Sequence, residues 1–181
     1  MLFRSISIFT EYVKGGRYSY TYSGDINNDG SGLNDLLYVP TDAQVDQMAF
    51  AGDAASQRSA LKSYIAQDKY LSERRGQYTE KYGALSPWYS HWDVRLAQDY
   101  VLPNKNRIQF TIDILNAGNL ISNKWGVRQF ATQTGLSQPV AVNVANGVPT
   151  YQFDATQKST YFNDFSLLSR WNMQLCLLYS S

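Results

Sequence analysis

Cysteine and histidine are almost absent, since Cys176 and His91 are the sole examples in 181 residues. One cysteine excludes an internal disulfide framework and any CxxC metal site. One histidine argues against a histidine-rich metal centre or a His-centred triad. Charge of one sign is missing too: 16 Lys plus Arg against 15 Asp plus Glu leave a formal charge of +1. That balance lacks the basic surface with which nucleic-acid binders neutralise phosphates, so no nucleic-acid partner is expected. No apolar run approaches ~20 residues and mean hydropathy is -0.38, which excludes a transmembrane helix. The opening MLFRSISIFTEYV does not read as a signal peptide, because Arg4 and Glu11 interrupt the place of an apolar h-region. It reads as the middle of a strand, as though the chain began partway through something larger.

What is present in excess is tyrosine, 14 residues, together with a strong period of two. Trp92, Val94, Leu96, Tyr100 and Leu102 share one face with only Gln98 interrupting, while His91, Asp93, Arg95, Ala97 and Asp99 share the other. After the turn Pro103-Asn104-Lys105-Asn106 the alternation resumes, with Ile108, Phe110, Ile112 and Ile114 opposing Arg107, Gln109, Thr111 and Asp113. Similar patterns near residues 2–13, 17–23 and 169–179 bring the expected strands to five, alongside those near 91–102 and 107–116. Most have the roughly ten residues a tilted strand needs to cross a bilayer. The connections alternate between tight turns at Lys14-Gly15-Gly16 and Pro103 to Asn106 and long excursions near 24–90 and 117–168, too long for ordinary loops in a compact domain. Short turns on one side and long loops on the other are the asymmetry of a transmembrane β-barrel. The fold class expected is therefore all-β: antiparallel strands of a membrane barrel, with a small helical insertion over Ser56 to Arg75 that breaks near Asp68. A hairpin is expected about Ala145-Asn146-Gly147.

On a barrel wall Arg95, Asp99, Arg107 and Asp113 would face a wet lumen and pair across strands rather than form a catalytic cluster. No residue is proposed as catalytic. Trp92, Tyr100, Trp171 and Tyr179, with Tyr18 and Tyr22, lie near strand ends, where interfacial aromatic girdles form. A soluble sandwich with an aromatic core is the competing reading. Asp25, Asn27, Asp29 and Asp35 bracket Gly30 in a run that could wrap Ca²⁺, although Leu36 stands where a bidentate Glu is needed; an Asx-rich surface turn explains the same residues. His91 reads as an interface or loop contact, and Cys176 as a buried or lumen-facing free thiol.

Several segments resemble one family. They are Tyr18-Ser19-Tyr20-Thr21-Tyr22-Ser23-Gly24-Asp25-Ile26-Asn27 running on through Asp29-Gly30 to Asn34-Asp35-Leu36-Leu37-Tyr38-Val39-Pro40, and Gln67-Asp68-Lys69-Tyr70-Leu71-Ser72. Asp93-Val94-Arg95-Leu96-Ala97-Gln98-Asp99, Gln109 to Asn116 with Gly118-Asn119-Leu120, and Ser169 to Leu175 follow in order. Together they are similar to the C-terminal barrel of Bacteroidetes-type TonB-dependent outer-membrane receptors, the group with a carboxypeptidase-regulatory-like domain. The resemblance implies a fragment of a receptor for energised uptake of a large or scarce solute, in the outer membrane of a Gram-negative bacterium. Its implied partners are outer-membrane lipid, the rest of the barrel and its plug, the TonB complex through N-terminal parts, and a surface-exposed substrate-binding lipoprotein. Arg95, Asp99, Arg107 and Asp113 would line the lumen or touch the plug, and loop residues including Tyr70 and Trp125 could contribute to ligand capture.

The ending Tyr179-Ser180-Ser181 departs from the terminal aromatic typical of such barrels. An adhesin or structural barrel that binds without transport is the alternative, separable by whether a plug and TonB-contacting segment lie upstream. A soluble calcium-binding β module is a third reading.

Overall fold

The computed structural model describes residues 3–103 and 105–180. Leu2 of the first expected strand, Asn104 of the expected turn and Ser181 lie outside them. Seven strands of six residues or more run in chain order: β1 (Phe3–Val13), β2 (Arg17–Ser23), β3 (Tyr89–Val101), β4 (Arg107–Leu115), β5 (Leu136–Ala145), β6 (Val148–Phe153) and β7 (Asn172–Ser180). Helices are α1 (Asp42–Gln47), α2 (Ala54–Gln67), α3 (Lys69–Ser72) and α4 (Ala117–Ile121). The chain divides into two compact units. One holds residues 1–15, 87–129 and 163–181; the other holds 16–86 and 130–162.

The first unit is built on a four-stranded antiparallel sheet in the order β1-β3-β4-β7. Register places like with like, because residues paired across antiparallel strands point to the same face. Ile6, Leu96, Ile112 and Leu175 form one row; Ile8, Val94, Ile114 and Met173 form the next. The row Ser7, Arg95, Asp113 and Gln174 points the other way. The sheet is open, with β1 and β7 at its edges, and no closed barrel is found among the described residues.

The second unit is a mixed sheet, β6-β5-β2 followed by the two-residue strand Ala84–Leu85, with α1 to α3 packed against it. β2 and β5 pair in parallel, with a register shift between Tyr20 and Tyr22. β5 and β6 close a hairpin through Asn146 at φ +52° and Gly147 at φ +77°. Positive φ at both central residues is the two-residue turn that Asn-Gly favours. α1 carries a capping box between Thr41 and Gln44, and Asp53 caps α2. Asp68 ends α2 and caps α3, so the expected helix break is an N-cap.

Several expectations need correcting. β2 does not stand in the wall with β1; its interior residues are buried on both faces, with Tyr18, Tyr20 and Tyr22 in the core beside Leu61, Tyr64, Ile65 and Leu71. A wall strand bares one face to lipid, and this one bares neither. Tyr18 and Tyr22 are thus core residues rather than girdle residues. Lys14-Gly15-Gly16 connects two units instead of closing a hairpin. The two long excursions also supply a folded core, and one of their pairings is parallel where antiparallel strands were expected throughout.

Candidate functional site

The apolar face of the four-stranded sheet is bare. Ile6 is 72% exposed, Leu175 62% and Leu177 70%, and Ile8, Tyr12, Met173 and Tyr179 are exposed with them. Leaving one such side chain in water forgoes about 1.5–3 kcal/mol of burial. Several together forgo an amount comparable with the whole stability of a domain, about 5–15 kcal/mol. A face of this kind marks an interaction surface, since soluble monomers seldom expose large contiguous apolar patches.

Aromatics mark both ends of that face. Tyr100 and Tyr179 both pair with Ile108 in the row beside the β3-β4 turn. Trp92 stands eight residues along β3 from Tyr100, which is about 26 Å of strand and about 20 Å of thickness at a tilt of about 40°. The apolar band of membrane barrels is about 25 Å tall. α4 locks the Trp92 end: a Cβ on Gly118 would lie 2.7 Å from Trp92 Nε1, so only glycine lets the indole approach so closely. Trp171 precedes β7, is 43% exposed, and donates its backbone N–H to Asn119 Oδ1 at 3.3 Å.

The opposite face carries paired polar groups. Arg95 donates to Asp113 through Nε at 2.5 Å and Nη2 at 2.7 Å, a bidentate contact between directly opposed residues. Asp99 is 7% exposed; Gln109 Nε2 donates to its Oδ1 at 2.7 Å, and Arg107 Nη1 stands 3.7 Å from its Oδ2. The four sequence-predicted polar residues therefore share one face as two clusters. Asp93 accepts the Asn116 backbone N–H at 2.8 Å, holding the β4-α4 corner where Asn116 adopts φ +50°. His91 Nε2 lies 3.4 Å from Glu11 Oε2, and its ring stacks on Tyr89. Cys176 is exposed; register with Thr111 puts it on the polar face, so the thiol is not buried.

The Asp25–Asp35 segment closes on its own amides. Asp25 accepts the N–H groups of Asp29 and Gly30, Asn27 Oδ1 accepts Asp29 N–H at 2.9 Å, and Asp29 accepts from Ser31 N–H and Asn34 Nδ2. Asp35 Oδ2 accepts Ile26 N–H at 3.0 Å. Among the described residues no group of three His, Cys, Asp or Glu side chains is placed to hold a metal.

Of the residues expected to meet ligand, Tyr70 is engaged within the protein. Its ring stacks on Tyr20, Arg74 lies over it at 3.9 Å, and its hydroxyl accepts Glu80 N–H. Trp125 is 53% exposed. Sequence reasoning missed the polar centre of the second unit. The Asp68 carboxylate, 2% exposed, accepts from Tyr20 Oη at 2.6 Å, Thr160 Oγ1 at 2.7 Å and Leu71 N–H at 3.0 Å. Its one local signal was the break between helices.

No protein-family model matches the chain, and no curated protein or solved structure matches it.

Proposed function

We infer that this chain is a section of the wall of a Gram-negative outer-membrane β-barrel receptor that takes up a large or scarce solute by TonB-energised transport. Four strands face lipid with one side and a wet lumen with the other. The second unit, whose core is its own, contributes to solute capture. The observation that carries the reading is the bare apolar face, ended by Trp92 on one side and Tyr100 with Tyr179 on the other, backed by a face of paired charges. The open edges of β1 and β7 suit strands that continue into neighbours, since exposed edges otherwise invite aggregation. The sequence resemblance supports the same reading, and names lipid, the remaining barrel with its plug, the TonB complex and a surface-exposed lipoprotein as partners.

Adjacent residues of β7 test it. Cys176 points to the polar face and Leu175 to the apolar one. In outer-membrane preparations of the full receptor, a water-soluble maleimide is expected to modify Cys176. Leu175→Cys in a Cys176→Ser background is expected to react only with a lipid-soluble maleimide. Equal labelling of both sites by the water-soluble reagent would sink the membrane reading.

A further inference from the structure

The apolar face of the four-stranded sheet has one polar break. Gln98 interrupts the alternation of β3, and register sets Arg4 of β1 directly opposite it, with Phe110 and Leu177 completing the row. Arg4 Nε donates to Gln98 Oε1 at 2.9 Å, so the break is a built pair rather than a stray amide. Among the described residues Arg4 has no other side-chain partner, which leaves both Nη groups of its guanidinium unspent. It is also the only charged side chain on this face of the four strands. Beside the pair an open groove of about 280 Å³ is lined chiefly by Arg4, Ile6, Leu96, Gln98, Phe110 and Ile112.

Depth gives this arginine its meaning. A cation on the lipid face of a membrane barrel is costly at the midplane and tolerated close to the headgroups. Arg4 lies one row in from Tyr100, Ile108 and Tyr179, the row beside the β3-β4 turn. Two residues make about 7 Å of strand, or about 5 Å of depth at a tilt of about 40°. An arginine stem covers that distance along apolar surface and lifts its charged head to the interface. Ionisable groups kept at such depth mark functional sites and come with a partner. Gln98 is uncharged, so these four strands supply no counter-charge.

We propose that Arg4 and this groove bind a net-negative glycerophospholipid of the periplasmic leaflet. The phosphate accepts hydrogen bonds from the Arg4 Nη groups, a pairing that guanidinium geometry favours, while Gln98 holds the Nε side. An acyl chain lies in the groove against Ile6, Leu96, Phe110 and Ile112. The leaflet follows from the tight β3-β4 turn, since short turns belong to the periplasmic side. A zwitterionic headgroup would bring an ammonium to a face with no carboxylate to receive it, which favours phosphatidylglycerol over phosphatidylethanolamine. The proposal rests on the membrane-wall reading and adds a headgroup preference to a face that otherwise asks only for hydrocarbon.

The probe is bimane on Ile8→Cys in a Cys176→Ser background, one row beyond the groove. It is carried by the full receptor in phosphatidylethanolamine vesicles, in which a minor fraction of lipid has brominated acyl chains. Brominated phosphatidylglycerol is expected to quench the bimane at least twice as strongly as brominated phosphatidylethanolamine at the same fraction. Arg4→Gln is expected to make the two equal, whereas Arg4→Lys keeps the preference because it keeps the charge. Equal quenching by both lipids without any change at Arg4 overturns the lipid site and leaves the membrane wall standing, the outcome if an acidic side chain of an adjoining strand already neutralises Arg4. A preference that survives Arg4→Gln overturns it as well. Bimane quenched by neither lipid removes the membrane reading and the site with it.

Discussion

Arg95 and Asp113 stand directly opposite across β3 and β4, the guanidinium gripping the carboxylate through two parallel hydrogen bonds of 2.5 and 2.7 Å. Geometry of this quality fixes side-chain direction and strand register. It contributes little stability while water surrounds it, and the Arg95 side chain is 61% exposed. A double-mutant cycle of Arg95→Gln and Asp113→Asn, read from denaturation midpoints, is expected to give a small coupling that shrinks as ionic strength rises. A large coupling indifferent to salt would mean that another part of the protein covers the pair.

The Asp25–Asp35 loop offers its oxygens to amides before any cation. Its Asp29 carboxyl is held below the usual carboxylate range, first by the Asn34 side chain, then by the Ser31 amide and Asn27. A lowered folded value means that the ionised form supports the loop above an ordinary Asp value of about 3.9, and that this support fades as pH falls through the lower folded value. Protection of the Ser31 amide against hydrogen exchange is expected to fall on that acid limb, and Asp29→Asn should flatten the dependence. Calcium binding would require the loop amides to be released, so added Ca²⁺ is expected to leave their protection unchanged. A thermal midpoint that rises with Ca²⁺ and stops rising in Asp29→Ala would establish a cation site instead.

The hairpin of β3 and β4 was legible because one face of each strand is apolar, with Gln98 the one interruption, and the turn between them is short. The same period of two misplaced β2. Alternating Tyr18, Tyr20 and Tyr22 look identical whether lipid or helices cover them, and nothing local announces the parallel partner that starts at Leu136. The loop hairpin was readable from Asn146-Gly147, whose backbone preference is intrinsic. Asp68 showed only as an interruption in a helical pattern. Its donors Tyr20 and Thr160 lie 48 and 92 residues away in sequence, and distance of that kind leaves no trace in spacing.

The tyrosine excess, once the second unit is seen to bury it, becomes an alkaline trigger. Burial pushes the Tyr20 hydroxyl far above its ordinary value, and neighbouring Tyr64 and Tyr18 and the bond to Asp68 push it further. Burial raises Tyr18, Tyr22, Tyr64, Tyr151 and Tyr161 as well. A folded value above the unfolded value of about 10 means that the native state holds protons the unfolded chain would release. Stability is therefore intact below about pH 10 and falls as pH rises beyond it, by about 1.4 kcal/mol per pH unit for each tyrosine that remains protonated only in the fold. In a titration followed by tyrosinate absorbance, the core set is expected to ionise well above pH ~10, in one step with loss of the helical circular dichroism. Tyr20→Phe should make the alkaline limb shallower and, by depriving the buried Asp68 carboxylate of a donor, cost about 1–3 kcal/mol at neutral pH. If every tyrosine instead titrates near pH ~10 with the dichroism unchanged, β2 is not the centre of a protein-covered core.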